Sequence, residues 1–159
     1  MATLNHIGLD ISKSKELATL LSDLLANYST FYQNVRGYHW NIRGEKFFEL
    51  HLKFEELYND LLLKIDEVAE RILTLGQVPD HRFTGYLDIT EIPESKEVHD
   101  GFKAVENILS SFKTLLTKQR RILGLSAEID DEGTNALMSD YIREQEKLVW
   151  MYSAFLNKS

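Results

Sequence analysis

Residues 47–75 read FFELHLKFEELYNDLLLKIDEVAERILTL, and their periodicity carries most of what the chain says about its own fold. On a helical wheel at about 100° per residue, Leu50, Phe54, Leu57, Leu61, Ile65, Val68, Ile72 and Leu75 fall within about 40° of one line, which makes them a core stripe. Lys53, Glu56, Asp60, Lys64, Glu67, Arg71 and Thr74 gather on the opposite side. Between the two runs a third stripe of His51, Glu55, Tyr58, Leu62, Asp66 and Ala69, with Glu70 at its polar edge. A mixed stripe of this kind is poor solvent surface and suits a subunit contact that contains a site.

Four side chains define that candidate site: His39, His51, Asp66 and Glu70. Imidazole and carboxylate together are metal-binding groups where they cluster. Asp66 and Glu70, at i and i+4, share a helix face and can aim both carboxylates at one point. His51 lies fifteen positions before Asp66, so on one helix the two are roughly 22 Å apart at about 1.5 Å rise per residue. No single ion spans that distance. The simplest solution is a second copy of the chain about a two-fold axis, with the histidines of one subunit meeting the carboxylates of the other. Taken singly, each residue has an ordinary reading: Asp66 and Glu70 as a solvated face or as partners for Lys64 and Arg71, each histidine as a hydrogen-bonded packing residue.

Working outward, a preceding helix is predicted from Lys15 to Ile42, with Ser12 or Ser14 as its cap and Gly44 just past its end. Its apolar stripe is Leu17, Leu20, Leu21, Leu24, Tyr28, Phe31, Tyr32 and Val35, and His39 extends that stripe inward. The quoted helix spans Glu45 to Leu75 and stops at Gly76. A third is predicted from Lys96 to Leu123, capped by Ser95 and ended by Gly124, with Val98, Phe102, Val105, Leu109, Phe112 and Leu116 apolar. A fourth covers Asn135 to Leu156, with Leu137, Tyr141, Leu148, Met151, Tyr152 and Phe155 inward. Short links around Gly44 and across Ser126 to Gly133 make two antiparallel hairpins. The longer segment between them holds Pro79, Gly85 and Pro93 and suits a crossover along the bundle, with a short helix over Tyr86 to Ile92. An all-α, ferritin-like four-helix bundle with one long crossover follows, the whole chain 1–159 forming a single domain.

Composition bounds the partners. The chain has 159 residues, 43% of them hydrophobic, and no cysteine, so disulfides and thiolate metal sites are excluded. Net charge is −7, from 18 basic and 25 acidic residues, with no basic arm at either end, so nucleic-acid binding is not expected. No apolar run approaches membrane-spanning length and residues 1–10 carry no secretory pattern, so the expected location is the cytoplasm.

A di-metal centre inside the bundle needs a Glu-x-x-His motif on each of two helices. The residues three before the five histidines are Thr3, Arg36, Phe48, Val78 and Lys96, so that centre is excluded. The remaining pattern is Tyr38-His39-Trp40-Asn41 with Arg43-Gly44, then Phe47-Phe48 and Leu50-His51, then Asp66 to Arg71, in His-x11-His-x14-Asp-x3-Glu spacing. It resembles the Dps family of mini-ferritins from the first helix to Leu156, including Asn135, Trp150-Met151 and Ala154-Phe155-Leu156. The resemblance implies a hollow shell of twelve identical subunits with a ferroxidase centre at each dimer interface, built by His39 and His51 from one subunit and Asp66 and Glu70 from its mate. It implies oxidation of Fe(II), preferentially by hydrogen peroxide, with storage of the ferric mineral and protection against oxidative damage. As many as two irons per site would be held.

Other residues take their roles from the same resemblance. Trp40 resembles a site-adjacent tryptophan able to donate an electron, with ordinary packing as the alternative. Glu55, one turn after His51, stands where many members have an Asp that assists the second iron, one methylene longer. Glu128, Asp130, Asp131 and Glu132, with Asp140 further on, fall near the family's carboxylate-lined pores; capping of the fourth helix is the competing reading. Glu56 and Asp60 either face the cavity and nucleate mineral or solvate an outer face. The competing function is DNA protection by coating, as a nucleoid-associated protein, for which the usual lysine-rich tail is missing.

Overall fold

The computed structural model describes residues 3–158. Among them are five helices: α1 (Ile11–Asn41), α2 (Phe47–Thr74), α3 (Phe83–Ile89), α4 (Gly101–Glu128) and α5 (Glu132–Phe155). The only β-pairing among the described residues is two isolated bridges, Leu4 with Asp10 and Arg43 with Asp100. The four long helices are those expected; their ends differ, and each difference has a local cause.

Asp10, not Ser12 or Ser14, starts α1: its carboxylate accepts the Lys13 amide at 2.8 Å, and Ser14 is instead buried, accepting a bond from the Asn5 amide group. Ser95 does not cap α4, because the chain passes through a left-handed residue at Glu97 (φ 55°) before Asp100 starts the helix. Gly124 does not end it. That glycine has helical neighbours on both sides and open space around its α-carbon, and α4 continues to Glu128. The turn into α5 is then only residues 129–131, with Asp130 left-handed at φ 62°.

The crossover lies along α1 because three inward polar side chains of that helix hold it. The Asn27 carboxamide oxygen accepts the amides of Glu91 and Ile92 at 2.9 and 3.1 Å and the Thr90 hydroxyl at 3.2 Å. Asn34 accepts the Ser95 amide and donates to the Pro93 carbonyl, both at 2.9 Å. Tyr38 pairs with the Ser95 hydroxyl at 2.5 Å. Capture of the Glu91 and Ile92 amides by Asn27 also explains why the short helix ends at Ile89 rather than Ile92.

Inside, Leu17, Leu21, Leu24, Phe31 and Val35 of α1 meet Phe54, Leu61, Val68 and Ile72 of α2, Val105, Ile108, Phe112 and Leu115 of α4, and Met138 of α5, all fully buried. Each such side chain contributes about 1.5–3 kcal/mol of burial. One layer is polar. The Gln119 amide donates to Gln145 Oε1 at 2.8 Å, the Gln145 amide donates to the Tyr28 hydroxyl at 2.6 Å, and that hydroxyl donates to Gln119 Oε1, closing a ring between three helices. Burial leaves the Tyr28 phenol well above its ordinary pKa. The wheel placed Lys64 on the polar side of the helix, yet it is buried, its ammonium over the Tyr141 ring. No helix among the described residues is long and apolar enough to cross a membrane.

Candidate metal centre

The turn at Gly44, whose φ of 112° favours glycine, folds α2 back against α1 and brings His39 onto His51. The two imidazoles stack at 3.7 Å between centroids and 10° between planes. Each ring is fixed by the other's backbone: His39 Nδ1 donates to the His51 carbonyl at 2.6 Å and His51 Nδ1 donates to the His39 carbonyl at 2.7 Å. Since a carbonyl can only accept, both Nδ1 atoms carry the proton, and in the neutral rings both Nε2 lone pairs are free for a metal. Backbone orientation of this kind fixes the tautomer of metal-ligating histidines. Phe47 stacks on the other face of His51 at 4.8 Å, and Tyr58 meets His39 edge-on at 5.4 Å.

Glu55 belongs to this half of the site, its Oε1 standing 3.8 Å from His39 Nε2. Asp66 and Glu70 do not. They are exposed on α2, Asp66 about four turns beyond His51, and no three His, Asp or Glu side chains among the described residues converge on a point able to hold a metal within one chain. One subunit therefore presents an imidazole pair with one carboxylate at one place and a carboxylate pair at another. Trp40 is not packed in this chain: it is 57% exposed, with the Arg36 guanidinium 4.9 Å from its ring.

The acidic residues near the α4–α5 turn divide into two kinds. Asp131 is a structural residue and not a free pore carboxylate. It is buried, caps α5 through the Thr134 amide at 3.0 Å, and forms an ion pair with Arg71 at 2.7 Å. Glu128, Asp130 and Glu132 are exposed around it, and Asp140 is exposed beside Arg143 at 3.1 Å. Asp60 is engaged with Lys64, which leaves Glu56, paired with Lys53 at 2.9 Å, as the more solvated of those two. Phe47, Tyr58 and Arg71 were given no role at the site or the α5 cap by the sequence; their signals were a place one turn before His51, a place in its mixed stripe, and adjacency to Glu70.

A four-helix bundle with one long crossover defines the ferritin-like class, and the ferritin-like domain family matches residues 18–159. Similarity narrows it. The chain is 46% identical over 138 residues to the DNA protection during starvation protein of Porphyromonas gingivalis, covering 87% of each. It is 54% identical over 148 residues to an uncharacterized protein of Haemophilus influenzae, covering 93% of this chain and 92% of that one. A crystal structure of the Dps protein from Vibrio cholerae O1, described as a member of a superfamily of ferritin-like diiron-carboxylate proteins, superposes with a TM-score of 0.96 at 59% identity over 98% of both chains. The chain belongs to the Dps family.

Proposed function

We propose that this protein is an iron-oxidising, iron-storing mini-ferritin whose ferroxidase centre is shared between two subunits. His39, His51 and Glu55 of one subunit face Asp66 and Glu70 of its mate, and the dimers build a hollow shell of twelve. The observation that carries this reading is the reciprocal histidine pair: two free Nε2 atoms held in place by backbone carbonyls, in a chain whose Asp66 lies roughly 22 Å along the helix from His51 and Glu70 further still.

The chemistry suits the donors. Imidazole and carboxylate accept Fe(II), carboxylate oxygen stabilises Fe(III), and few protein ligands leave positions open for the oxidant. Two Fe(II) ions each give one electron to hydrogen peroxide; its O–O bond breaks, two protons are taken up, and two waters leave with no hydroxyl radical formed. Holding both ions together when peroxide arrives is the protein's contribution. Trp40, next to His39 in the sequence, would supply an electron when one iron is missing. Glu128, Asp130 and Glu132 draw cations toward the shell.

The test is complementation. Shells reassembled from a His39→Ala, His51→Ala variant and an Asp66→Ala, Glu70→Ala variant contain mixed dimers with one complete ligand set and one empty set. Stopped-flow absorbance after anaerobic Fe(II) loading should show mixed shells oxidising iron faster than either parent. Peroxide should outrun dioxygen at equal oxidising equivalents. Mixed shells no faster than the parents would overturn the shared site.

A further inference from the structure

Midway along the bundle each long helix contributes polar side chains to one region: Tyr28 from α1, Asp60, Lys64 and Glu67 from α2, Gln119 from α4, and Tyr141, Glu144 and Gln145 from α5. This is the interior that, in bundles with Glu-x-x-His motifs, carries two metal ions. Here the Tyr28–Gln119–Gln145 ring satisfies itself, and the positive charge beside it is a side chain. Lys64 is 4% exposed. Its ammonium lies 3.0 and 2.9 Å from the two Asp60 oxygens and 2.9 Å from Glu144, and 5.1 Å from the Tyr141 ring centre. Tyr141 in turn donates to Glu67 at 2.9 Å.

We propose that Lys64 is a resident cation: its ammonium occupies, between Asp60 and Glu144, the position a divalent ion would otherwise take, and so keeps iron out of the subunit interior. Two carboxylates converging on one buried centre from different helices form a cation site in charge and direction. Divalent ions sit about 2.0–2.2 Å from carboxylate oxygens, so a modest inward shift of the half-exposed Asp60 and Glu144 side chains would close them on an ion once the ammonium is gone. The place also matters. A groove of about 320 Å³ between α2 and α5 is lined by Asp60, Lys64, Glu67, Asp140 and Glu144 and also by Asp66, the residue assigned above to the shared centre. Iron arriving at Asp66 therefore has a second carboxylate pair close by, and the ammonium withholds it.

The proposal specifies where iron is refused and rests on the shared-centre reading only for the identity of the cargo; its test uses Co(II) and an interface already silenced. In full-length protein carrying Asp66→Asn and Glu70→Gln, Lys64→Ala should add one Co(II) per chain by calorimetry and visible absorption, and Co(II) should raise its thermal midpoint while leaving the Lys64-containing parent unmoved. The added ion should disappear when Asp60→Asn and Glu144→Gln are combined with Lys64→Ala. Lys64→Met, which fills the space without a charge, should add none. If Lys64→Ala fails to fold alone, Co(II) should restore its helical circular dichroism. A folded Lys64→Ala protein without an added ion, an added ion that survives loss of Asp60 and Glu144, or an unfolded one that Co(II) does not rescue overturns the proposal. If only the shared-centre reading is wrong, Asp66→Asn and Glu70→Gln leave the parent's Co(II) count unchanged and Lys64→Ala still adds one.

Discussion

Arg71 shows how one residue fixes a corner of the molecule. Its guanidinium reaches from the last turn of α2 to Asp131 at 2.7 Å and to the Thr134 hydroxyl at 2.8 Å. Gly133 leaves the room: a β-carbon there would lie 2.8 Å from both terminal guanidinium nitrogens. Gly133→Ala should therefore push Arg71 aside, strand the buried Asp131 carboxylate and cost about 1–3 kcal/mol, read as a lower urea midpoint at unchanged slope; Arg71→Ala in the same background should then add little, since the contact is already lost. The site residues were legible to different degrees. His39, His51, Asp66 and Glu70, the ligands proposed above, stand out in the sequence because a spacing too long for one subunit survives in one dimension. Asp131 kept two readings in the sequence, pore and cap, because a carboxylate at a helix start looks the same in one dimension in either role; the structure shows the cap. Only the position of Arg71, 60 residues away in the chain, separates the two.

At the scale of the element, helix existence was plain from apolar spacing and helix ends were not. Gly124 looked like a stop signal because glycine favours the left-handed position after a helix. In the structure it is an ordinary helical residue with no atom near its missing side chain. Gly124→Ala should thus stabilise the protein by about 0.5–1 kcal/mol through helix propensity alone, measured by urea unfolding. Any loss of stability would mean that α4 bends or ends there. Likewise Asp10 and Asp100 are the true caps; Asp10 was missed because Ser12 and Ser14 stand nearer the apolar run, and Asp100 because Val98 carried the apolar stripe back past it to Ser95. The anchoring of the crossover by Asn27 and Asn34 was equally hidden: an asparagine inside a helix resembles a weak helix position until the segment that its side chain holds, more than 60 positions later for Asn27, is in place.

For the whole molecule, charge sets the partners. A net charge of −7 per chain, multiplied by assembly, repels a polyanion, so the shell should not retard duplex DNA at physiological salt, where a basic footprint of several phosphate contacts would be required. Tight retardation that weakens steeply with added salt would sink this expectation. Without retardation, protection of DNA, which several relatives carry in their names, would come from removing ferrous iron and peroxide together rather than from coating. The reciprocal histidine pair adds a consequence in time. His39 lies in the last turn of α1, where carbonyls lack helical partners, and the His51 ring supplies the missing donor. Each imidazole thus spends its rotational freedom when the α1–α2 hairpin forms, long before any ion arrives. On the proposed reading, loading would involve no search among ring orientations, and the pace of the first turnover would be left to how quickly ions diffuse into the shell.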